Sequence, residues 1–349
     1  MPGRLSPLRT VGCNIRIAVR AGGAAAVAAC LAGCGRHSVL RPYSTEAGTL
    51  AGVTIVFFVT TLVIFGAVVV AVLAIVLRHR AVLSPLQGRV VPAEDDRAPS
   101  RAVLAGGAVT LAILGGLLWL SLGPGHPAER SAALVVELVG HLWWWEIRYV
   151  DPDGRNPVVT ANELHLPQNR TTQVKLRSAD VIHSFWAPAL GGKADLVPGH
   201  PGRVQITPRR AGRLLGFCAE FCGLQHARMR LPVSVDPPDV FESWLAAQAA
   251  SGAAPRSPAE RHGQELFMAS PCVGCHAIRG TAAAGALGPD LTHLASRRTL
   301  AAGTLSNTDQ HLAEWLATPD RSKPGTLMPA AGVSGSDLGD LVAYLASLR

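Results

Sequence analysis

The chain has 349 residues and a formal net charge of +8, with 48% apolar and only 16% charged residues. Soluble domains carry roughly 25% charged residues, so this composition excludes a disordered chain and a wholly water-exposed one. The basic excess is almost all arginine, 29 Arg against 3 Lys, and never forms a run, which argues against a nucleic-acid binder. The length allows about two or three domains. Seven cysteines are too few for a disulfide framework, so their spacing has to explain them.

At the N-terminus, Arg4, Arg9, Arg16 and Arg20 precede an apolar stretch that ends Leu31-Ala32-Gly33-Cys34. A positive segment followed by a short apolar one reads as a secretory signal over residues 1–33. The ending resembles a bacterial lipoprotein processing site, which implies an acylated Cys34; an ordinary signal with an incidental cysteine is the alternative. Residues 34–130 then read as a transmembrane hairpin, with uncharged runs at 51–77 and 102–122. Each run is long enough to cross a bilayer core, and neither has a polar face that would suit a soluble helix. Five arginines lie between 78 and 101, against two between 35 and 50, so the middle loop is expected in the cytoplasm. Everything after residue 123 then lies on the outer, periplasmic side of a bacterial inner membrane.

Residues 131–250 carry short β-branched segments (Ala133–Val139, Thr171–Arg177, Arg203–Thr207) separated by Pro, Gly, Asn and Asp turns. That is the pattern of a β-sandwich or barrel, followed by one helix from Asp239 to Ala250. Residues 251–257, rich in Ala, Gly, Pro and Ser, read as a linker, and 258–349 as helical.

Two clusters carry metal chemistry. In the first, Cys218-Ala-Glu-Phe-Cys222-Gly-Leu-Gln-His226-Ala-Arg-Met229 gathers two thiols, an imidazole and a thioether within twelve residues. Soft ligands of this kind select copper, and two thiolates on one tight loop could bridge two metals. A Cys218–Cys222 disulfide or a zinc site are the alternatives; the first leaves His226 and Met229 unexplained, and zinc has little use for Met. His183, in Asp180-Val-Ile-His-Ser-Phe-Trp186, is the best further ligand.

This motif resembles the copper A site of the cytochrome c oxidase subunit II family, a cupredoxin-like β-barrel on a two-helix anchor. Residues 140–149 (Gly-His-Leu-Trp-Trp-Trp-Glu-Ile-Arg-Tyr), 162–167 and 189–199 resemble the same family. The resemblance implies a binuclear centre of two copper ions. Cys218 and Cys222 would bridge them, His183 and His226 would each hold one, Met229 would be a weak ligand, and Glu220 would give its backbone carbonyl. The Glu220 side chain would face a magnesium shared with subunit I, and Trp143 would stand where electrons enter.

The second cluster, Cys272-Val-Gly-Cys275-His276, is the attachment signature of haem c. Two thioethers would form at Cys272 and Cys275, with His276 as one axial iron ligand. Met328, in Gly325-Thr-Leu-Met-Pro329, is the one methionine downstream and matches class I cytochromes c as the second axial ligand. His293 and His311, the competing ligands, are expected at the surface. With the signal removed, five cysteines remain: one for lipid, two for copper and two for one haem c.

The whole chain is thus similar to subunit II of a haem–copper oxidase with a cytochrome c domain fused at its C-terminus, the bacterial caa type. The resemblance implies an oxidoreductase subunit that passes electrons to subunit I, where oxygen is reduced within a proton-translocating complex. The implied partners are subunits I and III, a donor (cytochrome c or a quinol–cytochrome c reductase) and membrane lipid, with no nucleic acid. A copper-binding membrane lipoprotein cytochrome outside any oxidase is the rival reading; Met229, Glu220 and the fused haem signature argue against it. One departure is that the second span begins Arg101-Ala-Val-Leu-Ala-Gly-Gly with no acid, where family members often carry a Glu linked to proton uptake.

Overall fold

A computed structural model describes residues 38–80, 97–122, 131–150 and 157–349. The expected signal segment and Cys34 lie outside the described residues. Two long helices come first, α1 (Thr45–Arg80) and α2 (Arg97–Leu122). The stretches Thr45–Arg78 and Ser100–Leu122 have mean hydropathies of 2.9 and 2.1, and none of either apolar window is buried by protein. Side chains such as Phe65, Val70, Leu104 and Trp119 stand outward, and two threonines among them, Thr54 and Thr110, turn their hydroxyls onto backbone carbonyls one turn back. Apolar surface of that extent is stable when hydrocarbon covers it.

The start of α1 is joined to the domain that follows. Ser44 caps the helix, its Oγ accepting from the Ala47 N–H at 3.0 Å while its hydroxyl donates to the Leu190 carbonyl at 2.7 Å. The Glu46 carboxylate, in the first turn, accepts from the Thr207 N–H at 2.9 Å and from its hydroxyl at 3.0 Å.

Ten strands follow: β1 (Leu134–His141), β2 (Trp144–Val150), β3 (Val158–Ala161), β4 (Leu164–Pro167), β5 (Thr172–Ser178), β6 (His183–Trp186), β7 (Ala194–Leu196), β8 (Gly202–Ile206), β9 (Gly212–Cys218) and β10 (Arg230–Asp236). They form two five-stranded sheets, ordered β3-β2-β1-β5-β8 and β4-β10-β9-β6-β7. Alternate residues point inward, so Val136, Leu138, Trp145, Ile147, Leu164, Val174, Leu214 and Val233 fill one shared core. The three strand-like segments read from the sequence are β1, β5 and β8. Trp145 is fully buried, whereas its neighbour Trp144 stacks outside on His141, with ring centroids 4.1 Å apart.

Helix α3 (Pro238–Ala249) closes one end of the sandwich with Phe241 and Trp244 against Tyr149. The C-terminal domain holds α4 (Pro258–Ala269), the single turn α5 (Cys272–Cys275), α6 (Asp309–Ala317), α7 (Pro319–Ser322) and α8 (Gly335–Ser347). A capping box, Ser257 with Glu260, starts α4, and Phe267 on α4 meets Tyr344 on α8 edge-on at 6.1 Å.

The Ala/Gly/Pro/Ser stretch is not a free tether. The Gly252 N–H donates to the Arg279 carbonyl at 2.9 Å, and Arg279 reaches back to the Gln248 carbonyl at 2.6 Å. One sequence expectation is corrected here: His293 is 3% exposed, not a surface residue, because the chain at Ala250 crosses it and its Nε2 meets the Ala250 carbonyl at 3.0 Å. His311 is half-exposed, its Nδ1 2.9 Å from the Ser306 carbonyl.

Candidate metal centres

Strand pairing builds the first centre. His183 is the first residue of β6 and Cys218 the last of β9, and the two strands pair through Phe185 opposite Cys218. The chain then leaves the sheet as a loop and returns as β10. A bond from the Cys218 N–H to the Met229 carbonyl at 3.0 Å pinches the loop at its base, so both residues stay buried.

Six groups converge there. The two sulfurs, Cys218 Sγ and Cys222 Sγ, are 3.7 Å apart. Cys218 Sγ faces His183 Nδ1 at 3.8 Å and the Glu220 carbonyl at 3.2 Å. Cys222 Sγ faces His226 Nδ1 at 3.7 Å and Met229 Sδ at 3.9 Å. Each sulfur thus has one imidazole and one weaker donor beside it. His183, Cys218 and Cys222 are buried and could hold a metal together. No disulfide joins the cysteines.

The surroundings prepare the donors. Asp180 Oδ1 lies 2.7 Å from His183 Nε2, which leaves Nδ1 toward the sulfur. Burial works against a charged His183, but Asp180 and the Cys218 sulfur raise its pKa to about 8. The two sulfurs act on each other in opposite senses: the contact with Cys222 lowers the Cys218 pKa, and the contact with Cys218 together with burial raises that of Cys222. Cys218 is thus the readier of the two to give the thiolate that a soft cation requires. Gly140 on β1 makes room for the His183 ring, since a Cβ there would lie 2.7 Å from His183 Cδ2.

Trp143 is half-buried beside this loop, and its indole N–H donates to the Cys222 carbonyl at 2.7 Å. Lys323, from the C-terminal domain, donates to the Trp143 carbonyl at 2.9 Å, and burial lowers its pKa to about 8. The Glu220 side chain points away from the sulfurs, toward Lys193 Nζ at 3.4 Å.

The second centre lies in the C-terminal domain. Cys272 and Cys275 are free thiols at either end of one helical turn. His276 Nδ1 is 2.7 Å from the Pro289 carbonyl, which fixes the tautomer and leaves Nε2 for a metal. The ring lies against Gly288, where a Cβ would come within 2.7 Å of it. Burial lowers the His276 pKa, keeping the ring neutral as ligation needs. Met328 and Cys272 both pack against the domain's core cluster. The Nε atoms of Arg279 and Arg297 are buried without a partner, which suits a prosthetic group bearing carboxylates.

Sequence reasoning gave Asp180, Gly140, Pro289 and Lys323 no role of their own. The available signals were a carboxylate three residues before a ligand histidine and the scarcity of lysine.

Comparison with known proteins gives the family. The family described as cytochrome c oxidase subunit II, periplasmic domain, matches residues 153–236, and the cytochrome c family matches 261–349. A cytochrome c oxidase subunit 2 from Alkalihalophilus pseudofirmus is 35% identical over 225 residues, covering 64% of each chain. One from Bacillus subtilis is 30% identical over 249 residues, covering 67% of this chain and 68% of its own. The chain thus spans about two thirds of the length of these relatives. A solved periplasmic domain of subunit II of cytochrome oxidase from Bradyrhizobium japonicum, 29% identical, covers 34% of this chain and 95% of its own with a TM-score of 0.32.

Proposed function

Because this chain belongs to the cytochrome c oxidase subunit II family, we propose that it is the electron-accepting subunit of a caa-type haem–copper oxidase in a bacterial inner membrane. Electrons are taken up on the cytochrome c domain and relayed by the β-domain to subunit I, where oxygen is reduced to water. The observation that carries this reading is the sixfold donor cluster at Cys218 and Cys222 on the same chain as a haem c attachment turn.

When bound, copper and haem c supply one-electron redox chemistry, and the protein supplies position and tuning. Cys218, Cys222, His183, His226, Met229 and the Glu220 carbonyl would together hold the two coppers. Cys272 and Cys275 would anchor the haem, with His276 and Met328 as its iron ligands. The Cys218 N–H to Met229 carbonyl bond ties together the base of the loop that carries most of the copper donors, which would limit their movement when charge changes. Trp143, bonded to the Cys222 carbonyl, offers the path by which electrons enter. The half-exposed Glu220 carboxylate would complete a magnesium site against subunit I. Subunits I and III, a cytochrome c or quinol–cytochrome c reductase donor, and acylation of Cys34 complete the reading.

Metal analysis with optical and paramagnetic-resonance spectra of the purified chain tests it. The expected result is two coppers in a mixed-valence signal plus one low-spin haem c. Cys222→Ser should lose the dicopper signal and keep the haem, whereas Met229→Leu should shift the signal without emptying the site. Two coppers retained in Cys222→Ser would overturn the assignment.

A further inference from the structure

The two extramembrane domains meet along a seam that neither metal motif accounts for. Lys323 is only 4% exposed, and the acceptor it reaches is the backbone carbonyl of Trp143, 180 residues away in sequence. The indole of that same residue donates to the Cys222 carbonyl and lies on Gly223, where φ is +109° and a Cβ would come within 3.1 Å of the ring. The short stretch around Lys323 grips the copper loop twice more. Gln225 Nε2 donates to the Pro324 carbonyl, and Arg228 donates to the Ser322 carbonyl at 2.5 Å. Gln225 lies between Cys222 and His226, and Arg228 immediately precedes Met229.

A buried ammonium is a costly way to fill space, and an apolar chain of similar length would do so with less penalty. An ammonium adds a directed N–H donor. Here the donor ends on a residue whose own side chain rests on the copper loop.

We infer that Lys323 is a positioning residue for electron transfer: the docked cytochrome c domain holds Trp143 against the Cys222 carbonyl and so completes the support of the copper loop from outside the β-domain. The inference rests on the reading that electrons enter at Trp143. Its consequence is that the loop carrying Cys222, His226 and Met229 is ordered fully only when the two domains are in contact.

Hydrogen exchange on the full chain, metal-free and loaded, is the decisive measurement, paired with the rate of haem-to-copper transfer in the assembled oxidase. In Lys323→Met, amides of residues 222–229 should exchange about tenfold faster or more, and transfer should slow by a comparable factor, the usual scale for groups that orient metal ligands. Copper content and haem potential should not change, and Lys323→Arg should restore part of both effects. Unchanged exchange and unchanged transfer in Lys323→Met would overturn the inference. Should that variant assemble poorly, Lys323→Gln, with a shorter N–H donor, decides by the same exchange measurement on the metal-free chain. Trp143→Phe, run in parallel, separates the two readings. If it leaves transfer unchanged, the role of Trp143 fails; if it slows transfer while Lys323→Met does not, the role of Lys323 fails alone.

Discussion

The Asp180 carboxylate holds His183 Nε2 at 2.7 Å while also accepting the Leu142 N–H at 2.7 Å, so one side chain ties a candidate copper ligand to the turn that carries Trp143. Burial alone would raise the Asp180 pKa, but the bonds from His183, Val181 and Leu142 hold it below the usual carboxylate range. Asp180→Asn should weaken copper binding by about 10–100-fold, the usual effect of losing such a partner. Competitive copper titration checks this, and an unaltered affinity would remove Asp180 from the site's support.

Gly140→Ala places a Cβ 2.7 Å from the His183 ring. Neither β1 nor His183 can move far inside a shared sheet core, so overpacking should cost about 1–3 kcal/mol. The variant should melt lower and hold copper less well than the parent. Calorimetry and metal analysis showing no change in either would mean that the ring relaxes freely.

Met328→Ala should leave haem attached, since the thioethers come from Cys272 and Cys275, but should lower its reduction potential. Methionine ligation raises the potential of cytochromes c. Redox titration decides; an unchanged potential would point to another ligand, with His311 tested before the buried His293.

Glu163 is 8% exposed and accepts the Arg298 N–H across the domain seam at 2.6 Å. Burial raises its pKa, only partly opposed by that bond. A carboxyl whose pKa is raised in the folded chain binds its proton more tightly there than in the unfolded chain. The fold should therefore lose stability as pH climbs from the ordinary glutamate value through the raised one, and regain it on acidification. Glu163→Gln, which keeps an acceptor for Arg298, should be at least as stable and lose this part of the pH dependence. Thermal melts against pH report it, and identical profiles in the two proteins would count against a buried, proton-holding Glu163.

Salt should matter little to haem-to-copper transfer. The charged side chains Lys323, Arg228 and Arg279 cross the seam to end on carbonyl oxygens rather than on carboxylates. Screening acts on separated exposed charges and much less on buried contacts with dipoles. Transfer should change by less than about twofold between low and high ionic strength. Cutting the chain near Gly252 should also slow oxidation of external donors. A steep salt dependence, or a cut enzyme that oxidises soluble cytochrome c at full speed, would show that the fused domain is not the obligatory route.

Much of the site could be read from the sequence because donors to one metal cluster on one loop: Cys218 to Met229 is a single excursion between β9 and β10. Strands β1, β5 and β8 were legible from their β-branched residues and flanking turn residues, whereas β6, with His183, Ser184 and Phe185 all buried, shows no alternation to read. What the sequence could not show was the seam. Lys323 with Trp143, Gln225 with Pro324 and Glu163 with Arg298 join positions about 100 to 180 residues apart by side-chain-to-backbone bonds. Such bonds leave no periodicity and no fixed spacing. The same blindness put His293 at the surface: its covering segment, at Ala250, is too small and apolar to announce a contact.

The joint at Ser44 and Glu46 has a mechanical meaning. Helix α1 enters the β-domain capped by Ser44, and Glu46 fastens its first turn to Thr207, so a tilt of the helix must carry the sandwich with it. The loop from Cys218 to Met229 is then held like a fitting on a post, its height and bearing set by the helix.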